Sequence, residues 1–186
     1  MRSHLQVLFT VTAAVVAVPL LARDSDTGTT SEVGVGMAGV TIINEVHTTT
    51  TVIGIPESFF TSPTVYASFP VGTRVALEPQ VGVFFASGGG SSVHTLTLAG
   101  QADYLFKDFH HNSPYLFGRA LLSNTGGGGE GTPAETRLAT GGGVGYRFPF
   151  GRAVLRLEGR FDHIFPKDSE PAQNLFGGYF AIGIVL

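Results

Sequence analysis

The chain has 186 residues, of which 13% are charged, and its formal net charge is −3. This length suggests one domain. The negative charge and the absence of a Lys/Arg run argue against nucleic-acid binding. The absence of Cys excludes disulfides, thiolate catalysis and zinc–thiolate sites. So few charges, with 26 glycines and 15 phenylalanines, are unusual in a soluble domain. The strands of a transmembrane barrel have this composition, because they alternate apolar and polar residues.

The N-terminal segment has the pattern of a secretory signal peptide. Arg2 supplies a positive charge, a mostly apolar run covers 5–21, and Pro19 and Ala22 mark its end. We predict a signal peptide over 1–22, a flexible mature N-terminus over 23–31 and an outer-membrane β-barrel domain over 32–186. An uncleaved helical anchor is the alternative interpretation of the apolar run.

Long runs of alternating apolar and polar residues follow, with no helical periodicity of useful length. The predicted strands cover residues 33–43, 64–71, 74–86, 93–106, 114–123, 136–148, 153–165 and 174–186. Connections at 44–63, 87–92, 124–135 and 166–173 are mostly longer than those between them, which is typical of external loops and short periplasmic turns. The pattern predicts an all-β fold: an eight-stranded antiparallel up-and-down transmembrane β-barrel preceded by a signal peptide.

The last predicted strand separates into two faces at period two. One face is almost wholly apolar and the other is mostly small, and no charge occurs in the segment. Lipid on one side and a crowded lumen on the other would explain this contrast. Aromatic residues near strand ends fit interfacial girdles, or follow from the general preference of aromatics for strands: Phe69, Tyr104, Phe106, Tyr146, Phe148, Phe161 and Phe165.

Charged residues mark the face that should point into the barrel. Residues 156, 158, 160 and 162 carry charges of alternating sign on one face of a strand, and each would be costly in lipid. The same parity argument predicts a lumen charge network of Arg74, Glu78, Asp103, Arg119, Arg137, Arg147, Arg156, Glu158, Arg160 and Asp162. This network is either a polar core whose charged groups pair with one another, with glycines leaving room for the arginines, or an ion or solute pathway.

The chain resembles the small eight-stranded outer-membrane barrels of the outer membrane protein A or X type over roughly residues 31–186. The resemblance is carried by the signal peptide, the eight alternating strands, the glycine-rich first strand VGVGMAGV and the apolar last strand. Members usually end in an aromatic residue that the barrel-assembly machinery recognises, whereas this chain ends in Leu186. The resemblance implies insertion by that machinery, contact with outer-membrane lipid and lipopolysaccharide, and a monomer in the bacterial outer membrane, reached through the periplasm.

The predicted function is a structural scaffold that presents external loops, especially 44–63 and 124–135, for adhesion or surface interaction. The alternatives are a narrow solute pore, a soluble lipocalin-like barrel with its apolar face inward, and a lipid A-modifying enzyme. Enzymes of that shape use a His-x-Ser pair, and His111-Asn112-Ser113 falls in a predicted periplasmic turn. Asp108, His110 and His111 have poor spacing for a metal. We expect no enzyme activity, cofactor or metal.

Overall fold

A computed structural model of the chain describes residues 31–44, 49–53, 63–88, 91–127, 134–167 and 170–186. These segments form β1 (Glu32–Asn44), β2 (Thr49–Ile53), β3 (Thr64–Pro70), β4 (Val75–Gly88), β5 (Ser91–Leu105), β6 (Ser113–Gly127), β7 (Glu135–Phe150), β8 (Ala153–Ile164) and β9 (Gln173–Val185). A helix of the length and apolarity needed to cross a bilayer is not found in the described segments. The predicted signal peptide and residues 23–30 lie outside them.

The strands form one closed antiparallel barrel. From β3 to β9 each strand pairs with the next along the chain, and β1 pairs with β9 to close the sheet. β2 and β3 share one edge of β1: β2 pairs with residues 40–44 and β3 with residues 32–36. Together they occupy one position, so the predicted eight-stranded up-and-down barrel is confirmed.

β2 lies within residues 44–63, which were predicted to be a loop. Its sequence, TTTVI, consists entirely of β-branched residues, and these favour extended backbone. The three threonines obscured the apolar alternation by which the other strands were recognised, so the loop prediction is wrong for these five residues.

A bulge in β1 reverses the direction in which its side chains point. Ala38 pairs with Tyr179 and Val40 with Gly178, so Gly39 is the extra residue. Before it Val35 is exposed on the outer wall, and after it Ile42 is exposed there. Odd-numbered residues therefore face outward before the bulge, and the even-numbered Ile42 faces outward after it.

Pro79 lies inside β4, where its missing N–H favours a bulge or a local kink. It interrupts the ladder towards β3, where pairing stops after Tyr66↔Gln80 and resumes at Phe69↔Leu77 in the same register. Pairing towards β5 is continuous through Pro79. The missing N–H therefore interrupts backbone pairing with β3. The register is kept, so no side chain of β4 is turned to the other face of the sheet.

Buried apolar residues form small clusters above and below the middle of the lumen. One cluster lies towards the end with the longer connections: Leu121, Ala139, Ile164 and Leu175. Another lies towards the short turns: Ala76, Leu105, Phe109, Tyr115 and Phe117. Charged side chains lie among and beyond these clusters. The Arg160 guanidinium is 5.8 Å from the Phe117 ring centre, and Arg137 is nearer the longer connections than Ala139.

Candidate functional site

The barrel is polar inside and apolar outside. In β6 the buried residues alternate with exposed ones, so that Arg119 is 7% exposed while Leu116 and Leu122 on the opposite face are 47% and 44% exposed. The other long strands repeat this pattern. A soluble lipocalin-like barrel requires the reverse arrangement, so that alternative is wrong. These features define a transmembrane β-barrel with an ion-paired core.

Arg156 is the centre of the lumen network. Its Nη1 donates to a carboxylate oxygen of Glu78, and its Nη2 lies 2.9 Å from Asp103 Oδ2. Nη2 also lies 3.0 Å from Glu158 Oε1, and Nε donates to the Tyr115 hydroxyl at 3.1 Å. One buried guanidinium therefore joins β8 to β4, β5 and β6.

Glu158 links this centre to a second arginine. It accepts a 2.5 Å hydrogen bond from the Tyr115 hydroxyl at Oε1 and a 2.6 Å bond from Arg160 Nε at Oε2. The Arg160 guanidinium also lies 3.3 Å from the centre of the Tyr179 ring, within cation–π distance. These buried groups share hydrogen bonds, so losing one of them leaves its neighbour buried with fewer partners.

A third set of contacts closes the lumen at the short-turn end. The Tyr66 hydroxyl donates to Glu32 Oε1 at 2.5 Å, and Arg147 Nη2 donates to Glu32 Oε2 at 2.8 Å. Arg147 also donates to the Phe109 carbonyl, and its guanidinium lies 5.7 Å from the Phe109 ring centre. The β5–β6 turn thus folds inward and covers the mouth of the barrel.

At the opposite end, Arg137 binds groups that follow β8. Its Nη2 donates to the Pro171 carbonyl at 2.9 Å, and its Nε lies 3.6 Å from Glu135 Oε1. Arg119 pairs separately with Asp162. The structure therefore brings nine of the ten predicted network residues into the lumen, in several connected groups.

Arg74 is the exception, and the expectation that it faces the lumen is wrong. β4 begins at Val75, and residues 71–74 form a bend in which Gly72 has a φ of +89°. Alternation cannot be extended through such a bend, and the Arg74 side chain is exposed on the rim.

Several further members of the network were not among the ten predicted residues, including Gln80 and Gln101, whose Nε2 atoms donate to Glu78 and Asp103. Glu32 precedes the predicted start of the first strand, and three tyrosines have ring and hydroxyl contacts that their residue type does not reveal: Tyr66, Tyr115 and Tyr179. The inward parity of Tyr179 in the last strand was the available signal.

Glycines leave room for these long side chains. Gly145 of β7 pairs with Tyr115 on one side and Glu158 on the other, and a Cβ at Gly145 would overlap the Tyr115 ring. Gly36 of β1 lies in the same way beneath the 2.6 Å contact between Thr64 Oγ1 and the Tyr179 hydroxyl. The network crosses from strand to strand over residues without side chains.

The lumen contains a small cavity beside the network. It has a volume of about 30 Å³ and is lined in part by Gln80, Arg119 and Tyr179. Gln80 Oε1 is buried there with no hydrogen-bond partner in the described part of the barrel. A cavity of this size holds about one water, which would satisfy that oxygen.

The His-x-Ser sequence does not form a catalytic pair. His111 Nδ1 lies 2.7 Å from Asp108 Oδ1, whereas the Ser113 hydroxyl accepts from Lys107 N–H and donates to the Pro114 carbonyl. The His111 hydrogen bond holds the pKa of the exposed Asp108 carboxyl below its ordinary value. Among the described residues, no group of three or more His, Cys, Asp or Glu side chains is arranged so that it could hold a metal ion.

The outer wall is an apolar belt with aromatic residues near both edges. Ile182, Ile184 and Leu157 are 57%, 57% and 48% exposed. Tyr104 and Phe106 pack edge to face at 5.8 Å near the short turns, and Phe161 and Phe176 lie 4.8 Å apart towards the longer connections. Aromatics in these positions match the interfaces of a bilayer.

Solved structures of small barrels have the same fold. Neisserial surface protein A (NspA) is 12% identical over 84% of this chain and 97% of that chain, with a TM-score of 0.64. The N-terminal β-barrel domain of Pseudomonas aeruginosa OprF is 11% identical over 83% and 97%, with a TM-score of 0.52. Ail, the attachment invasion locus protein of Yersinia pestis, is 9% identical over 84% and 97%, with a TM-score of 0.50.

No protein-family model matches the chain, and no curated protein matches it. The chain therefore has the fold of the small eight-stranded outer-membrane barrels, as the resemblance implied.

Proposed function

We propose that this protein is an integral protein of the bacterial outer membrane that acts as a structural scaffold and presents its external loops for adhesion or surface interaction. The observation that carries the proposal is the polarity of the barrel: side chains that suit lipid form its outer wall, and ion-paired side chains fill its lumen. A filled lumen favours a scaffold, because no part of the interior described above is left as a channel. The paired charges and water-sized cavity do not favour the solute pore.

The surface role is supported by likeness alone. Two of the similar structures are named as a surface protein and as an attachment invasion locus protein. Of the segments predicted to be external loops, 44–63 contains β2 and 124–135 contains the ends of β6 and β7. Residues 45–48, 54–62 and 128–133 lie outside the described residues. We propose that these loops contact the partner, and that the barrel holds them at the cell surface.

The proposed partners follow from the same fold. Lipopolysaccharide and phospholipid surround the apolar belt, and the barrel-assembly machinery inserts the chain, which then remains a monomer. Its C-terminal strand offers Phe180, Ile182, Ile184 and Leu186 on one face, the alternate apolar positions that such recognition requires.

Membrane fractionation and epitope display test the proposal. The protein should enter the outer-membrane fraction and migrate faster unboiled than boiled. An epitope inserted within 128–133 should be labelled on intact cells, whereas the same epitope at Gly151–Arg152 should be labelled only after permeabilisation. Recovery as a soluble periplasmic protein would refute the membrane assignment, and the reverse labelling pattern would refute the orientation.

A further inference from the structure

A cationic notch lies on the short-turn rim, outside the lumen network. It is formed where the bend before β4 meets the β5–β6 turn, and the Leu105 N–H holds the two together by donating to the Arg74 carbonyl at 2.7 Å. The notch is lined by Thr73, Arg74, Phe106, Lys107, Asp108 and His111.

The two cations of the notch have no partner among the described side chains. Neither the Arg74 guanidinium nor the Lys107 ammonium has an ion pair or hydrogen bond with any described residue. Asp108 is already engaged, since its Oδ1 accepts the His110 N–H at 3.0 Å and lies 2.7 Å from His111 Nδ1. Within the described part of the chain, the notch therefore presents two positive charges without a partner, beside a carboxylate whose Oδ1 is already hydrogen-bonded.

The wall beside the notch suits acyl chains. Phe106, which lines the notch, is 51% exposed, and Tyr104 packs against it and is 46% exposed. Both belong to the aromatic edge of the apolar belt. A ligand placed here would meet positive charge at one end and lipid-facing aromatic surface at the other.

We propose that this notch binds an anionic phospholipid of the leaflet at the short-turn end, with its phosphate between Arg74 and Lys107 and its acyl chains along Tyr104 and Phe106. Arginine matches two phosphate oxygens with its planar fork, and lysine adds a point charge. The inference rests on the proposed membrane location, because the ligand reaches the notch from the bilayer.

The test measures which lipid remains bound to the protein. Wild type and variants are refolded into vesicles of equal amounts of phosphatidylcholine and phosphatidylglycerol and extracted into mild detergent, and bound lipid is identified by native mass spectrometry. Wild type should retain phosphatidylglycerol in preference to phosphatidylcholine. Arg74→Gln and Lys107→Gln should each weaken that retention about fivefold, the effect expected for one cation near an anionic head group. Arg74→Lys should lose less than Arg74→Gln, because it keeps the positive charge but not the planar fork.

Arg152→Gln is the matched control, since it removes one exposed arginine from the same rim outside the notch. Equal losses in Arg152→Gln and Arg74→Gln would overturn the proposal, because binding would then follow the charge of the whole rim. Inorganic phosphate added as a competitor should leave the lipid bound; full displacement would show that the notch recognises phosphate alone, and would also overturn it.

The unboiled-gel shift, measured on each sample, separates this inference from the proposed function. A shifted band without phosphatidylglycerol preference refutes the notch alone. Absence of the shifted band refutes the membrane barrel itself.

Discussion

Arg119 and Asp162 form a two-pronged ion pair across a strand that lies between them. Arg119 Nε meets Asp162 Oδ1 and Nη2 meets Oδ2, both at 2.8 Å. Arg119 is in β6 and Asp162 in β8, and Gly141 of β7 pairs with both. The ion pair therefore passes directly over a residue that has no side chain.

Gly141→Ala should destabilise the barrel. A Cβ at Gly141 would overlap the Phe161 carbonyl and Asp162 Oδ1, and backbone atoms cannot move away cheaply. We expect a loss of about 1–3 kcal/mol in the free energy of unfolding, measured by urea titration in vesicles. Gly100→Ala is the control, because a Cβ there meets nothing within 4 Å. Equal effects of the two substitutions would contradict the crossing described above.

Arg119→Met should cost more than removing the whole ion pair. The single substitution leaves Asp162 buried with an uncompensated charge, which costs about 3–5 kcal/mol of unfolding free energy. The double variant Arg119→Met/Asp162→Leu should regain most of that loss, because it leaves no buried charge unpaired. A double variant as unstable as the single one would show that packing, rather than charge, dominates at this position.

Arg156→Lys should destabilise the protein even though it keeps the positive charge. A single ammonium cannot reproduce the contacts that the guanidinium makes with Glu78, Asp103 and Glu158. We expect a loss of a few kcal/mol, about 1.5–3 for each charged hydrogen bond that is lost. Arg152→Lys, at an exposed turn, should leave the unfolding midpoint unchanged. A wild-type midpoint for Arg156→Lys would mean that Arg156 acts only through its charge.

Ile182→Arg should be strongly destabilising, because Ile182 is 57% exposed on the apolar belt. An arginine that faces lipid costs about 2–4 kcal/mol of unfolding free energy at the middle of the bilayer and less towards its edges. Ile182 lies three residues before the end of β9, so a loss below the top of this range is expected. Val71→Arg is the control: Val71 is equally exposed, at 56%, but lies in the bend at the rim. If both variants unfold like wild type in vesicles, the outer wall does not face lipid.

The pKa of Asp108 should depend on His111. The hydrogen bond from the imidazole is the largest cause of the lowered pKa, so His111→Ala should raise it towards its ordinary value. In wild type the stabilisation is therefore present above the unfolded-state pKa and is lost as pH falls through the lower folded-state value. NMR titration of the Asp108 carboxyl checks this. His163→Ala, whose ring bonds Asn174 instead, should not move the midpoint.

Period-two alternation was sufficient to predict the barrel wall. Charged residues on one face of β8 and apolar ones on one face of β9 fixed the inward direction, because an error of one residue would have placed arginines in lipid. The same reasoning failed at Arg74, where a turn residue with positive φ ends the alternation before the charge is reached. It also missed β2, since consecutive threonines carry strand propensity without an apolar face.

The hydrogen bonds and ion pairs between lumen side chains could not be predicted in the same way. Parity shows that Arg156 faces inward, but which carboxylates it meets depends on the stagger between strands distant in sequence. Tyr66 and Tyr115 are compatible with either the lumen or the interface, because each has an apolar ring and a polar hydroxyl. Their contacts with Glu32 and Glu158 depend on the register between nearby strands.

Because Gly39 is an extra residue in β1, both Val35 before it and Ile42 after it can face outward. Deletion of this single residue would remove the bulge and turn Ile42 from the outer wall towards the lumen. The neighbouring strands would keep their sequence. The pairing of β1 with β9 would then place side chains that suit lipid beside side chains that suit the lumen. The correct pairing of the first strand in the barrel therefore depends on one residue that bears no side chain.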